Sequence, residues 1–252
     1  MQPVVVLLHG FMQSGSDMDC IAHALKPRFR VIAPTMTVQD ANHAKIESLA
    51  RFVRECIVSE VGDDERVAML GYSMGGRVAL AYARLFPETL SALVLESAGL
   101  GPEDETQRQQ FAENSERLAS RIESCSSISE FVDYWETLPL FAGQKQANPQ
   151  AFAAQRESRL QHDLHELALI TRCASAHTMP WAGETRNFLN DTLPNRVLYI
   201  AGQRDVKYAA YADSFKSGNV QVSLFDCGHN VHMELLDDYC DCVSRFLQGI
   251  SS

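Results

Sequence analysis

The chain has 252 residues, more than one average domain of roughly 150 residues and within reach of a single α/β core carrying an insertion. Apolar residues make up 46% and charged residues 21%, which excludes a disordered chain and leaves enough apolar surface for a sizeable core. With 22 Lys and Arg against 32 Asp and Glu, the net charge is −10; no basic stripe is present, so no nucleic-acid partner is expected.

The first strong element is the apolar run Val4–Leu8. Crossing a bilayer takes roughly 20 apolar residues, and no basic stretch precedes this run as a signal peptide requires, so neither membrane insertion nor export is expected. Seven cysteines, an odd number at irregular spacings without a Cys-x-x-Cys pair, read as reduced packing or surface thiols of a cytoplasmic protein, with no metal site. Further Val-, Ile- and Leu-rich runs follow at 30–33, 67–70, 92–95, 197–200 and 220–225, each bounded by Gly, Pro, Asp or Ser. Such short runs fit parallel strands buried on both faces. Between the second and third, Asp40 can cap a helix whose stripe is Ile46, Leu49, Val53 and Ile57 and whose end is Gly62. The alternation predicts a doubly wound, mostly parallel sheet with right-handed crossovers.

After Glu96 the alternation stops and resumes only near Val197. The intervening block has helical periodicity, with Phe111, Leu118 and Ile122 on one face of its first helix, and Pro139, Pro149 and Pro180 divide the rest. The expected organisation is a core of residues 1–97 and 191–252 with a helical cap at 98–190.

Gly71-Tyr72-Ser73-Met74-Gly75 lies between a strand and a helical run. That placement makes a nucleophile elbow: a sharp turn exposes the Ser73 hydroxyl at a helix N-terminus, and glycines two before and two after it remove clashing side chains. A hydroxyl needs a base and the base an orienting acid, each expected in a loop after a later strand. Asp205, just past the 197–200 strand, and His229, just past the 220–225 strand, occupy those places; Glu96 is the rival acid, with Asp226 poorly placed, and His232 is the rival base. The backbone N–H groups of Met74 and of Phe11, in the loop after the first strand, are the candidate oxyanion hole. His9 reads as a structural hydrogen-bonding residue, and His162 and His165 as surface. No Gly-rich dinucleotide or phosphate loop is present, so no cofactor is expected.

These features together resemble the α/β-hydrolase fold. A narrower resemblance rests on Gly71-Tyr72-Ser73-Met74-Gly75-Gly76-Arg77, Leu93-Val94-Leu95-Glu96-Ser97, Tyr134-Trp135 with Pro139-Leu140-Phe141, Gly202-Gln203-Arg204-Asp205-Val206-Lys207-Tyr208, and Gly228-His229-Asn230-Val231-His232-Met233-Glu234. In these stretches the chain is similar to the 2-succinyl-6-hydroxy-2,4-cyclohexadiene-1-carboxylate synthases of menaquinone biosynthesis, which eliminate pyruvate from their substrate. The resemblance implies that Ser73, activated by His229 and Asp205, is a base. It also implies that Arg77 and Arg159 bind substrate carboxylates and that Tyr72 and Trp135 line the pocket. The partner would be a small anionic molecule, and the protein a monomer or small homo-oligomer.

Four positions depart from the family's pattern. Ala33-Pro34-Thr35-Met36-Thr37 replaces an Asp-x-Pro-Gly-His-Gly-like stretch, Met18 a tryptophan, and Leu236 a proline. Phe111 stands where an arginine is usual, with Arg108 one turn earlier as the substitute charge. The other readings that the residues allow are a carboxylesterase or C–C bond hydrolase working through an acyl-serine, and a non-catalytic ligand-binding relative.

Overall fold

The structure is a computed structural model that describes residues 2–38, 45–141, 143–215 and 218–250. Its strands are β1 (Val4–Leu8), β2 (Arg30–Ile32), β3 (Val67–Tyr72), β4 (Leu90–Glu96), β5 (Val197–Gly202) and β6 (Val220–Phe225). They form one parallel sheet in the order β2-β1-β3-β4-β5-β6. Alternation within each inner strand explains why the sequence shows unbroken apolar runs. Val4, Val6 and Leu8 of β1 face one apolar layer while Val5 and Leu7 face the other, and β3, β4 and β5 divide in the same way.

The helices of the first half are α1 (Asp19–Leu25), α2 (Ile46–Val61) and α3 (Met74–Leu85). All four stripe residues of α2 are buried, and Gly62 ends the helix at φ 91°; Asp40 lies outside the described residues, and Lys45 holds the cap position in extended conformation. From Glu96 the chain leaves the sheet for α4 (Glu105–Glu123), α5 (Ile128–Trp135), α6 (Gln144–Ala147), α7 (Pro149–Arg159), α8 (Leu164–Cys173) and α9 (Ala182–Thr192). Local chemistry starts several of these. Asp104, Ser127, Asn148 and Asp163 each accept a backbone N–H of the following first turn, and Pro149 opens α7, where its missing N–H costs nothing. The boundary expected after residue 190 falls inside α9, which runs to Thr192 with Leu189 in the core; the Arg84 guanidinium of α3 lies 4.9 Å over the Phe188 ring.

The chain closes with α10 (Val206–Asp213), α11 (Val231–Glu234) and α12 (Leu236–Ile250). Helices α1 and α12 cover one face of the sheet, and α2, α3 and α10 the other. Among the described residues, no helix is long and apolar enough to cross a membrane.

Strand order reverses direction between β1 and β3: β2 lies on one side of β1, and later strands are added on the other. At such a switch point the loops leaving adjacent strands diverge and open a crevice at the carboxyl edge, where ligands of open α/β sheets bind. Phe11 follows β1 and Ser73 follows β3, so the crevice lies between them.

Candidate active site

Ser73 sits at φ 51° and ψ −106°, a conformation that L-residues rarely adopt, at the N-cap of α3. The elbow is possible only with glycine beside it. A Cβ on Gly71 would come within 2.5 Å of the Gly75 carbonyl oxygen, and one on Gly75 within 2.2 Å of the Leu8 carbonyl oxygen. Close packing of β3, α3 and β1 therefore holds the strained serine in place.

The base and acid arrive on neighbouring strands. β5 pairs with β6 up to Gly202 opposite Phe225, and the loops stay joined beyond the pairing through Gln203 N–H to Phe225 O (2.7 Å) and Arg204 N–H to Cys227 O (3.0 Å). Asp205 and His229 thus emerge side by side. Asp205 Oδ2 lies 2.5 Å from His229 Nδ1, and His229 Nε2 lies 3.0 Å from Ser73 Oγ. With the carboxylate on Nδ1, that nitrogen carries the proton and Nε2 is left to accept from the serine hydroxyl.

The rivals are engaged elsewhere. Glu96, fully buried, accepts from His232 N–H (3.1 Å) and pairs with His232 Nδ1 (2.7 Å), so the two form a separate acid and imidazole pair behind the Tyr72 ring. Asp226 pairs with exposed Arg204.

A cavity of about 340 Å³ opens on Ser73 and His229. Phe11 and Met74, the candidate oxyanion residues, line it on either side of the serine, and Tyr72 lines it as well. Burial pushes the Tyr72 hydroxyl well above its ordinary pKa of 10, so it stays a donor. The cap closes the far side with Phe111 and Leu118 of α4, Trp135 of α5 and Phe141. Trp135 meets Phe11 edge-on at 5.1 Å and Phe141 at 5.4 Å, and its indole N–H has no partner among the described residues.

The two expected carboxylate-binding arginines differ. Arg77 lines the cavity, anchored by Nε to the Ala174 carbonyl at 2.8 Å, with no carboxylate in contact among the described residues. Its burial lowers its pKa, and the remaining guanidinium N–H groups are free of ion pairs. Arg159 is not among the lining residues: it is 2% exposed, bonds Glu136 Oε1 at 2.9 Å and Gln155, and lies under the Phe141 and Phe152 rings. Arg159 thus faces a carboxylate 23 residues away, Glu136, rather than the cavity.

Arg108 also turns away, to the carbonyls of His177 and Met179 and over the Trp181 ring, while Phe111 faces the cavity. Met18 is fully buried on the opposite face of the sheet from the cap. His162, expected at the surface, is half-buried, and burial lowers its pKa. His9 bridges two loops: Nδ1 lies 2.8 Å from Gly10 O, and Nε2 accepts from Met36 N–H at 2.9 Å. Lys207 lines the cavity but is not among the predicted site residues; its signal in the sequence is its place two positions after Asp205, inside the stretch 202–208.

A family profile for the alpha/beta hydrolase fold matches residues 3–235. The chain belongs to this family. It is similar to a Bacillus subtilis (strain 168) protein provisionally assigned as 2-succinyl-6-hydroxy-2,4-cyclohexadiene-1-carboxylate synthase, 28% identical over 98% of this chain and 90% of the relative. The synthase of that name from Enterobacter sp. (strain 638) is 23% identical over 98% and 92%. Among solved structures, MenH from S. aureus superposes with a TM-score of 0.88 at 24% identity, covering 99% of this chain and 95% of that one. A thermophilic esterase from Thermogutta terrifontis reaches 0.77 at 21%, covering 100% and 92%. This α/β-hydrolase chain is an enzyme of its family, sharing the fold with proteins named as synthases and as esterases.

Proposed function

We propose that this α/β hydrolase is a lyase of the 2-succinyl-6-hydroxy-2,4-cyclohexadiene-1-carboxylate synthase type, eliminating pyruvate from a polycarboxylate cyclohexene precursor in menaquinone biosynthesis. The observation that carries the reading is the charge of the cavity: in a chain of net charge −10, the lining residues include Arg77 and Lys207 and no Asp or Glu. A desolvated guanidinium without a counter-ion calls for an anionic ligand.

His229 takes the Ser73 proton as Asp205 stabilises the resulting imidazolium, and the Ser73 oxygen removes a proton from the carbon beside a substrate carbonyl. Negative charge developing on that carbonyl oxygen is met by the N–H groups of Phe11 and Met74. The electron pair released moves through the ring and breaks the bond to the pyruvyl group, which leaves as an enolate. His229 gives its proton to that enolate, yielding pyruvate, while Ser73 keeps the substrate proton and is again a neutral hydroxyl. No cofactor takes part. The reading places the protein in the cytoplasm, as a monomer or small homo-oligomer.

The same triad geometry also suits acyl transfer, so a carboxylesterase or C–C bond hydrolase is the second reading. The experiment that separates them incubates the protein with the pyruvate-bearing precursor and, in parallel, with a short acyl ester. Pyruvate release without a trappable acyl-serine supports the lyase. Ester turnover alone, through an acyl-enzyme, supports the hydrolase.

A further inference from the structure

Several arginines around the cavity are met by acids: Arg156 by Asp133 and Glu136, Arg172 by Glu116 and Glu123, Arg186 by Glu103. Against that background, Arg77 and Lys207 stand out, because among the described residues both line the cavity without an ion pair. They come from two different helices. Arg77 lies in the first turn of α3, four residues after Ser73, and Lys207 in the first turn of α10, two residues after Asp205.

Lys207 is an exposed residue, yet its ammonium is not left to wander. Nζ lies 5.4 Å from the centroid of the Phe111 ring on the cap helix α4 and 5.1 Å from that of Tyr208 on its own helix. Two aromatic faces attract a cation by their quadrupoles and place it at the cavity without neutralising it. Phe111 and Tyr208 line the cavity too, so the charge is held between core and cap at the place where a ligand would reach them. An ammonium on a flexible stem binds as a point charge, whereas the Arg77 guanidinium binds as a planar fork, so the two can serve two separate carboxylates.

We infer that Lys207, held by Phe111 and Tyr208, is a specificity residue that receives a second carboxylate of the ligand, so that the cavity selects molecules with two separated carboxylates over those with one. This deepens the reading of the cavity as a site for a polycarboxylate and rests on it.

The test is a binding measurement independent of turnover, read through quenching of Trp135 at the cavity wall. The probes are homophthalate, with two carboxylates on one ring, and phenylacetate, with one. Wild type is expected to bind homophthalate at least about tenfold tighter, an order set by what charge-assisted pairs contribute. Lys207→Gln should remove that preference and leave phenylacetate binding unchanged, Lys207→Arg should restore most of it, and Phe111→Leu should weaken it. Equal losses on both probes, no loss in Lys207→Gln, or no saturable homophthalate binding to wild type would each overturn the inference. Pyruvate release by wild type is scored separately, so failure of the proposed lyase reaction is distinguishable from failure of the second anchor.

Discussion

The Ser158 hydroxyl of α7 donates to Asp17 Oδ2 at 2.6 Å across 141 positions of sequence. The same carboxylate oxygen accepts from Ser14 N–H and Ser14 Oγ, so it organises the loop that begins at Phe11. Together with the Phe11 and Trp135 rings, this contact straps the candidate oxyanion loop to the cap. Ser158→Ala should cost on the order of 1 kcal/mol in stability, and Asp17→Ala more, since it frees the Ser14 groups as well. If the strap positions Phe11, kcat falls more than KM rises in both variants; unfolding midpoints and steady-state kinetics measured together decide it.

Distances from His229 and His232 separate the two buried acids. Asp205 holds the imidazole that touches Ser73, and Glu96 holds the neighbouring one. Asp205→Asn leaves the geometry but favours the wrong tautomer, with a loss of about 10⁴ in kcat as the precedent. Glu96→Gln should lower stability far more than rate. The opposite ranking in kcat would assign the acid's role to Glu96.

On the proposed mechanism Ser73, His229 and Asp205 act on one proton path, so their effects should not add. Ser73→Ala alone should remove orders of magnitude of rate, and adding His229→Ala or Asp205→Ala should cost little more. Near-wild-type turnover by Ser73→Ala would exclude it as the reactive group.

His9 makes stability depend on pH. Its ring is neutral where it bridges Gly10 and Met36, and burial lowers its pKa from 6.5 to about 4, with the nearby Asp17 opposing that shift and His162 adding to it. Because the folded value lies below the unfolded one, the contribution is complete above pH 6.5 and is lost as pH falls from 6.5 to about 4, where only the unfolded chain takes up the proton. The full window corresponds to about 3 kcal/mol. Urea unfolding at pH 7 and pH 4.5 should therefore show a smaller drop for His9→Gln than for wild type, and identical drops would remove His9 from the explanation.

Much of this fold was legible because β1, β3, β4 and β5 are buried on both faces and so leave unbroken apolar runs, punctuated where loops emerge. The juxtaposition of Ser73, His229 and Asp205 was legible for a related reason: each stands just past a strand, and parallel strands deliver those positions to one edge. What sequence could not display was the partner of a charge. Arg159 and Lys207 look equally available in the chain, but Glu136 pairs with the first, while among the described residues the second has aromatic rings and no carboxylate beside it. The division between core and cap was obscured in the same way, since helical periodicity continues through α9 whether the helix packs on sheet or cap.

Arg77 decides between the lyase and hydrolase readings. Its Nε is committed to the Ala174 carbonyl at the end of α8, and Arg77 lines the cavity with no ion pair on its outer N–H groups among the described residues. A lysine there could not hold the carbonyl and grip a carboxylate at two points, so Arg77→Lys should already weaken catalysis on a carboxylate substrate. Arg77→Ala strands the substrate's carboxylate in a desolvated site and should cost about 2–5 kcal/mol in kcat/KM, roughly 30-fold to several thousandfold. On a neutral acyl ester nothing is stranded, and the loss should be slight. The measurement is kcat/KM for wild type, Arg77→Lys and Arg77→Ala on both substrates. Equal losses on the two would mean that Arg77 only braces the cap through Ala174, and the anionic-substrate reading would then lose its main support.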